Sequence, residues 1–428
     1  MEDTTPVEVV RESMDAFGDS EKEIVYHCIR CGLCLSFCPV YRSLKIETYT
    51  PRAKMQLSKA LLADRLKPSR SLEEVASHCL LCLSCAAQCP GGVPTHRIIL
   101  ALRQKMVEEY GLDWKKQFVF RQILGKRGRL TTAAQWARVI HNQFVRRLPA
   151  EWRAGTLPLR AIPPMGRPLH LQYPEVIPPR SEHRGRVVFF PGCATSFVLD
   201  DIGRAVIHVL TGSGFEVILP RDPSCCGAPM FLTGEHRVSR GNIEHNISTL
   251  LQPGIEAVIT CCATCGSALR REYPEMMEKL HGDVKGASVL AEKTRDVMEF
   301  IAEAGPGVAS LAAVPVRTTY HHPCHLLHGQ GVRDAPRRVL EQIPGLEWVE
   351  MKEGDSCCGG GGSFQLYFPE TSEKIVGPKI DHILESGAQT VATGCPGCII
   401  QIAGNLSRRA KDIDVLHPIQ ILARAMPE

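Results

Sequence analysis

At 428 residues the chain is too long for one ordinary core and is expected to form two or three domains. Apolar residues make up 44% and charged residues 22%, an ordinary soluble balance, and a net charge of +4 excludes a general affinity for nucleic acid. Nineteen cysteines exceed what packing requires. Residues 1–17 are acidic and lack the apolar run of a secretory signal, and no stretch approaches a membrane span. A reducing cytoplasm is therefore expected, with thiols committed to metal rather than to disulfides.

Residues 1–27 read as a polar leader with one amphipathic helix. Residues 28–112 hold two cysteine runs on loops between helices. Thr50 before Pro51 reads as an N-cap with proline at the first helical position, and Ala53, Leu57 and Leu61 recur every fourth residue. Lys67-Pro68 ends that helix. Ser71 with Glu74 is expected to form a capping box, and Thr95 to cap a helix with Ile98, Ile99, Leu102 and Met106 on one face and Gly111 as its stop.

Residues 113–185 read as a basic helical segment followed by a linker. Between 114 and 150 there is no Asp or Glu but nine Lys or Arg, with Phe118, Phe120, Trp136 and Phe144 interleaved. Their balancing charge lies in anionic lipid, in an acidic partner or elsewhere in the chain, and the aromatic residues favour a docking surface. Residues 148–185 carry eight prolines and read as an extended surface linker.

The remainder divides into residues 186–312 and 313–428. Strand-like runs at 187–190, 215–219 and 257–260, with helical patterns near 198–211 and 236–251, recur at 318–321, 348–352 and 390–393. Cys193 to Cys324 is 131 positions, Cys225-Cys226 to Cys357-Cys358 is 132, and Cys262 and Cys265 to Cys395 and Cys398 are each 133. Five cysteines keeping step across that distance mark two copies of one module. The expected fold class is α+β multidomain: a helical dicluster ferredoxin domain followed by two repeated α/β Cys-rich modules. The copies are expected to face each other across a pseudo-twofold axis, with Cys193 and Cys324 in one cleft.

The first cysteine set is Cys28, Cys31, Cys34 and Cys38 before Pro39, repeated at identical spacing as Cys79, Cys82, Cys85 and Cys89 before Pro90. This is the bacterial ferredoxin run, in which three thiols wrap one [4Fe–4S] cluster and the fourth ligates the neighbouring one. One cluster is thus expected on Cys28, Cys31, Cys34 and Cys89, the other on Cys79, Cys82, Cys85 and Cys38. Structural zinc uses separated C-x2-C knuckles and fits less well. The second set is a lone Cys, a Cys-Cys-Gly and a Cys-x2-Cys in each module: Cys193, Cys225, Cys226, Cys262 and Cys265, then Cys324, Cys357, Cys358, Cys395 and Cys398. Strand ends place such groups at one sheet edge, where each quintet is expected to hold a further cluster. The glycines 359–362 lack the Lys-Ser/Thr of a phosphate loop and read as a cluster-hugging turn. Cys261, the nineteenth, reads as a small buried hydrophobe. His321 and His322 are candidate proton acceptors, whereas His325 and His328 read as packing residues. No G-x-G-x-x-G follows a strand, so no flavin or nicotinamide site is indicated on this chain.

The runs at 28–39 and 79–93, Thr50-Pro51-Arg52, Pro191-Gly192-Cys193, Cys225-Cys226-Gly227, His322-Pro323-Cys324-His325 and Cys357-Cys358-Gly359 together resemble the glycolate oxidase and lactate dehydrogenase iron–sulfur subunit family, over about residues 25–428. The resemblance implies electron transfer from a flavoprotein that oxidises a 2-hydroxy acid, through [4Fe–4S] clusters, towards quinone or another acceptor. A quinone-reactive or membrane subunit is an implied further partner, and the cytoplasmic membrane face an implied location. Glycolate-type members often lack cysteines of the Cys-x2-Cys elements, which are complete here. Complete modules are similar to those of the heterodisulfide reductase catalytic subunit, which uses noncubane clusters to cleave a disulfide, and this is the alternative reading.

Overall fold

The computed structural model describes residues 16–149, 152–159, 162–222, 224–308, 310–409 and 412–427, so most of the expected leader lies outside the described residues. The part that is described belongs to a core. Ala16, Phe17, Ile24 and Val25 pack with Met55, Leu72, Val93, Ile98 and Leu102 of the N-terminal helical unit.

Capping residues explain where the helices of that unit begin. Thr50 Oγ1 accepts a hydrogen bond from Ala53 N at 3.1 Å and opens the helix Pro51–Leu62, as expected. The next helix, Arg70–Ser77, opens at Ser69 rather than Ser71. Ser69 is extended and its Oγ accepts from Leu72 N at 3.2 Å, whereas Ser71 already lies within the first turn. Thr95 begins the helix Thr95–Tyr110 without capping it, because its hydroxyl lies 3.0 Å from Cys85 Sγ instead. Gly111, at φ 69°, ends that helix as expected.

The basic segment forms the helices Trp114–Phe118 and Arg127–Gln143, joined by a π-helical turn over Val119–Leu124. Leu130 and His141 are buried, whereas Trp136, Ile140 and Phe144 are 65%, 50% and 62% exposed, so the longer helix presents a second apolar stripe to solvent. The proline-rich stretch does more than connect. Leu169 and His170 are buried, and Val176–Ile177 joins a sheet.

That first sheet contains β1 (Val176–Ile177), β2 (Gly185–Phe190), β3 (Phe215–Ile218), β4 (Ala257–Thr260) and β5 (Thr294–Asp296), in the order β1-β3-β2-β4-β5, parallel except for β1. The second contains β6 (Arg317–Tyr320), β7 (Glu347–Trp348), β8 (Thr390–Ala392) and β9 (Asp414–Leu416), in the order β7-β6-β8-β9, all parallel. With β1 set aside, the two orders are identical, so the cysteine repeat is a repeat of topology. Val187, Val188 and Phe189 on β2 are fully buried, as a central parallel strand covered on both faces requires. Each of the two large cores takes residues from both modules: Val188 and Ile243 share one with Val391 and Ile402. The modules are therefore fused, not tethered.

Candidate iron–sulfur centres

The two cysteine runs are wound through left-handed backbone. Arg30 (φ 61°) and Gly32 (φ 83°) in the first correspond to Leu81 (φ 49°) and Leu83 (φ 65°) in the second. For residues with a side chain this conformation costs roughly 1–2 kcal/mol each, and such strain clusters at functional sites. It turns the thiols of each triplet to one side. One cavity is lined by Cys28, Cys31, Cys34 and Cys89, and a second by Cys38, Cys79, Cys82 and Cys85, with Cys85 touching both. The fourth cysteine of each run thus faces the triplet of the other. Cys31 is exposed and Cys28, Cys34 and Cys89 are half-buried, whereas Cys38, Cys82 and Cys85 are buried, so one set is outer and one inner.

The ten module thiols form a single string. In order they are Cys193, Cys225, Cys226, Cys265, Cys262, Cys395, Cys398, Cys358, Cys357 and Cys324, each in hydrogen-bonding reach of the next. Cys358 and Cys398 are 3.6 Å apart. Cys262 and Cys395, which meet at the middle, occupy equivalent positions in the two copies and so lie astride a pseudo-twofold axis. The expected pairing of Cys193 with Cys324 is corrected: they are the two ends of the string. Cys262 and Cys395 follow β4 and β8, and their thiols meet each other, while Cys193 and Cys324 follow β2 and β6. Cys324 instead neighbours Cys82 of the inner ferredoxin-type set, which continues the line of thiols into the helical unit. Cys226 accepts from Cys225 and Cys265, which pulls it down to about 5, and Cys358 and Cys395 are pulled down in the same way by two neighbours each. Gly227 (φ 83°) and Gly359 (φ 78°) supply the left-handed turn after each Cys-Cys pair. Cys261 stands apart, fully buried in the second core with Thr195 at 3.6 Å.

The helical unit docks on the second module beside these thiols. Arg42 pairs with Glu353 at 2.8 Å, His78, itself stacked on Tyr49 at 4.1 Å, meets the Phe368 ring at a tilt at 3.8 Å, and Leu80 lies over Gly361. The glycine run therefore lets the Leu80 loop approach. His325 ties three parts together, with Nε2 3.0 Å from Leu81 O and Nδ1 3.2 Å from Thr264 Oγ1, which agrees with a packing role. His322 lies edge-on to Tyr320, and burial pushes it down to about 4. His321 is fully buried, among the described residues its ring nitrogens meet no oxygen or nitrogen partner, and it shares a 4.8 Å cluster with the thiols of Cys358 and Cys398, helping to pull Cys358 down.

Three cations that no sequence pattern marks lie beside these thiols, two at the inner set and one at the second module. Lys54, 1% exposed, donates from Nζ to Tyr49 O and to His78 O at 3.1 Å. Arg103 gives its guanidinium to the carbonyls of Ala76, Ser77, Cys79 and Leu232. Lys379, 1% exposed, donates to Glu353 O beside the Cys357-Cys358 pair, and burial pushes it down to about 8. Among the described residues none of the three forms an ion pair with a carboxylate. Burial lowers both lysines, and nearby negative charge opposes it: the thiols of Cys79 and Cys38 for Lys54, and Cys358, the Asp355 carboxylate, Cys357 and Glu353 for Lys379. Convergent buried thiols with unpaired cations beside them fit an anionic thiolate-ligated cluster. Lysine at a fourth-residue position on a helix carries no sequence signal of this role.

Residues 187–270 and 318–403 match the cysteine-rich domain family CCG, and residues 24–93 match the 4Fe-4S dicluster domain family. The probable glycolate oxidase iron-sulfur subunit of Bacillus subtilis is 27% identical over 398 residues, 89% of each chain. Lactate utilization protein A of Oceanobacillus iheyensis is 31% identical over 238 residues, 55% of this chain and 96% of that one. A subunit of the dihydromethanophenazine:CoB--CoM heterodisulfide reductase of Methanosarcina barkeri is 26% identical over 424 residues, 93% of each. No helix among the described residues is long and apolar enough to cross a membrane.

Proposed function

Because the chain belongs to the family of CCG-domain iron–sulfur proteins that includes lactate utilization protein A, we propose that it carries electrons from a flavoprotein oxidising a 2-hydroxy acid towards quinone or another acceptor. That it is an iron–sulfur electron-transfer subunit with [4Fe–4S] clusters is the ground for this finer reading. When bound, the clusters supply one-electron carriers. Cys28, Cys31, Cys34 and Cys89 would hold the outer one, Cys38, Cys79, Cys82 and Cys85 the inner one, and each quintet one more. The observation that carries the reading is continuity. Thiols run without a break from the exposed Cys31 loop through the inner set and Cys324 to Cys193. The test is anaerobic purification with whatever flavoprotein accompanies the chain, followed by 2-hydroxy acid and optical detection of cluster bleaching. About 16 irons per chain and bleaching dependent on the flavoprotein are expected. Iron without any flavin-dependent bleaching sinks it.

A second reading, disulfide reduction, is supported by the completeness of both quintets and by an apolar pocket at Cys193, walled by Phe189, Phe190, Phe197 and Leu219 with buried His170. Rapid reoxidation of the reduced protein by an organic disulfide, and not by a quinone analogue, selects it.

For location, we assign the face around the helix Arg127–Gln143 to an anionic lipid surface. Trp114, Phe118, Trp136, Ile140 and Phe144 are exposed there. Of the nearby cations Arg121 meets Glu235 at 3.5 Å, while Lys115 and Lys116 lie over the Trp114 and Tyr367 rings. Exposed tryptophans on basic helices suit a headgroup layer. Sedimentation with phosphatidylcholine vesicles, with and without phosphatidylglycerol, tests this for wild type and for Lys126→Glu with Arg129→Glu. Anion-dependent, salt-sensitive binding lost in the variant is expected. Salt-sensitive capture of the flavoprotein with no vesicle binding overturns it in favour of a protein partner.

A further inference from the structure

Reduction adds negative charge to a cluster already surrounded by thiolates. A fixed cation in a low-dielectric site therefore favours the reduced form and raises the reduction potential, and it does so more strongly than a solvated one. The four thiol sets of this chain differ sharply in that respect. The outer ferredoxin-type set has Arg52 near Cys34, but Arg52 is solvent-facing and already paired with Glu47. The inner set has Lys54, buried and bonded only to carbonyls, with Arg103 beside it.

The two modules repeat the contrast. Lys379 stands twenty-one residues after Cys358, and twenty-one residues after Cys226 the first module has Ile247. Among the described residues, the side chains that bond the Cys225 and Cys226 carbonyls in the first module are neutral: Asn242 Nδ2 and Asn246 Nδ2 donate to Cys225 O at 3.2 and 3.1 Å, and Tyr273 Oη donates to Cys226 O at 2.9 Å. Near Lys379, the Glu353 carboxylate is taken by Arg42, and Asp355 lies 3.9 Å from Arg333. The two sets with a buried lysine are the adjacent ones, joined where Cys324 neighbours Cys82.

We propose that Lys54 and Lys379 are the fixed positive charges that make the two adjacent inner centres, one in the helical unit and one in the second module, the first to accept electrons. This rests on the cluster-binding reading above. It divides the chain into a central pair that stores two electrons and two outer centres, at the Cys31 loop and the first module, that exchange them. Two stored electrons match a donor that releases them in pairs, such as a reduced flavin. Both lysines are positioning residues: each acts on the cluster through its charge and bonds only to backbone.

The test is an anaerobic redox titration of the full chain, followed by paramagnetic resonance and visible absorbance, for wild type, Lys54→Met and Lys379→Met. Each variant is expected to lower the potential of one centre, a different one in each, by at least tenfold in the reduction equilibrium, about 59 mV for a one-electron couple. The remaining centres stay in place and the iron content is unchanged. Lys54→Gln, which keeps a donor for the carbonyls without the charge, is expected to reproduce the shift of Lys54→Met, whereas a purely structural lysine would not move a potential in the Gln variant. Unchanged potentials in iron-replete variants, or a shift of the same centre by both, overturn the assignment. Wild-type protein lacking either inner centre overturns the cluster reading itself.

Discussion

The two modules share strand order, five cysteine positions and a glycine turn, yet their thiols sit in different electrostatic surroundings. Three residues before the lone cysteine the first module has Phe190 and the second His321. Ile247 corresponds to Lys379. Seven residues after the last cysteine Glu272 corresponds to Asn405. Duplication kept the donor set and the fold, which metal binding requires, and let charge diverge. The second module holds a buried lysine and an imidazole beside its thiols, whereas in the first neutral amides and a phenol bond the Cys-Cys carbonyls. A repeat in thiol positions is therefore not a repeat in electrostatic surroundings.

The largest expected effect concerns the helical unit that breaks the symmetry. Cys38→Ala removes a thiol from the inner cavity although it lies in the outer run. About four of about 16 irons should be lost, with the signal of the centre on Cys79, Cys82 and Cys85, while both modules keep theirs. Cys89→Ala should do the converse. Loss of the Cys28 centre in Cys38→Ala would show that the fourth ligands are not exchanged.

The shared glycine turn gives a sharper comparison. Gly227→Ala and Gly359→Ala each force a side chain into left-handed backbone, costing about 1 kcal/mol. At Gly227 the new Cβ meets only Ser239 and Phe231 at 3.4 Å or more. At Gly359 it meets Ser372 O at 3.0 Å and Ile375 at 3.2 Å, and Ser372 already donates to Gly359 O. Gly359→Ala should therefore cost about 2–3 kcal/mol in anaerobic denaturant unfolding and Gly227→Ala about half that. Equal losses would mean that the two turns are packed alike.

Much of this layout is legible in the sequence because it is periodic. The Cys-x2-Cys-x2-Cys-x3-Cys-Pro spacing anticipates two cavities, each lined by three thiols of one run and the fourth of the other, and the 131 to 133 residue offsets report a repeated sheet. What stays hidden is set by contacts between distant segments. Ser69 rather than Ser71 caps a helix because it is the extended residue before the turn. Thr95 gives up its cap to Cys85, a partner ten residues away. Val176–Ile177 becomes an edge strand because β3 offers it an open ladder. The position of Cys324 beside Cys82, and the lysines that accompany it, depend on docking between domains that no local pattern encodes.

The smallest expected effect tests Glu272 against Asn405. Glu272 is buried, with Ser267 Oγ donating to its carboxyl at 3.0 Å, and burial pushes it up from 4.5 to about 8. Asn405 donates to Gln401 O at 2.8 Å and does not ionise. A carboxyl whose folded pKa is raised binds its proton more tightly in the native state than in the unfolded chain. Stability is then full below about 4.5 and declines as pH rises towards about 8, where the native group ionises as well. The slope is at most about 1.4 kcal/mol per pH unit, and relaxation around the group is expected to hold the total near about 2 kcal/mol. Glu272→Gln retains the shape and removes the ionisation. Anaerobic melting should coincide with wild type at about pH 5 and exceed it by a few °C at about pH 9. Asn405→Asp should introduce the same decline into the second module. A Glu272→Gln melt that tracks wild type across the whole range would mean that water or a rearranged cation reaches the first-module acid, and that the contrast between the modules at this position is one of shape alone.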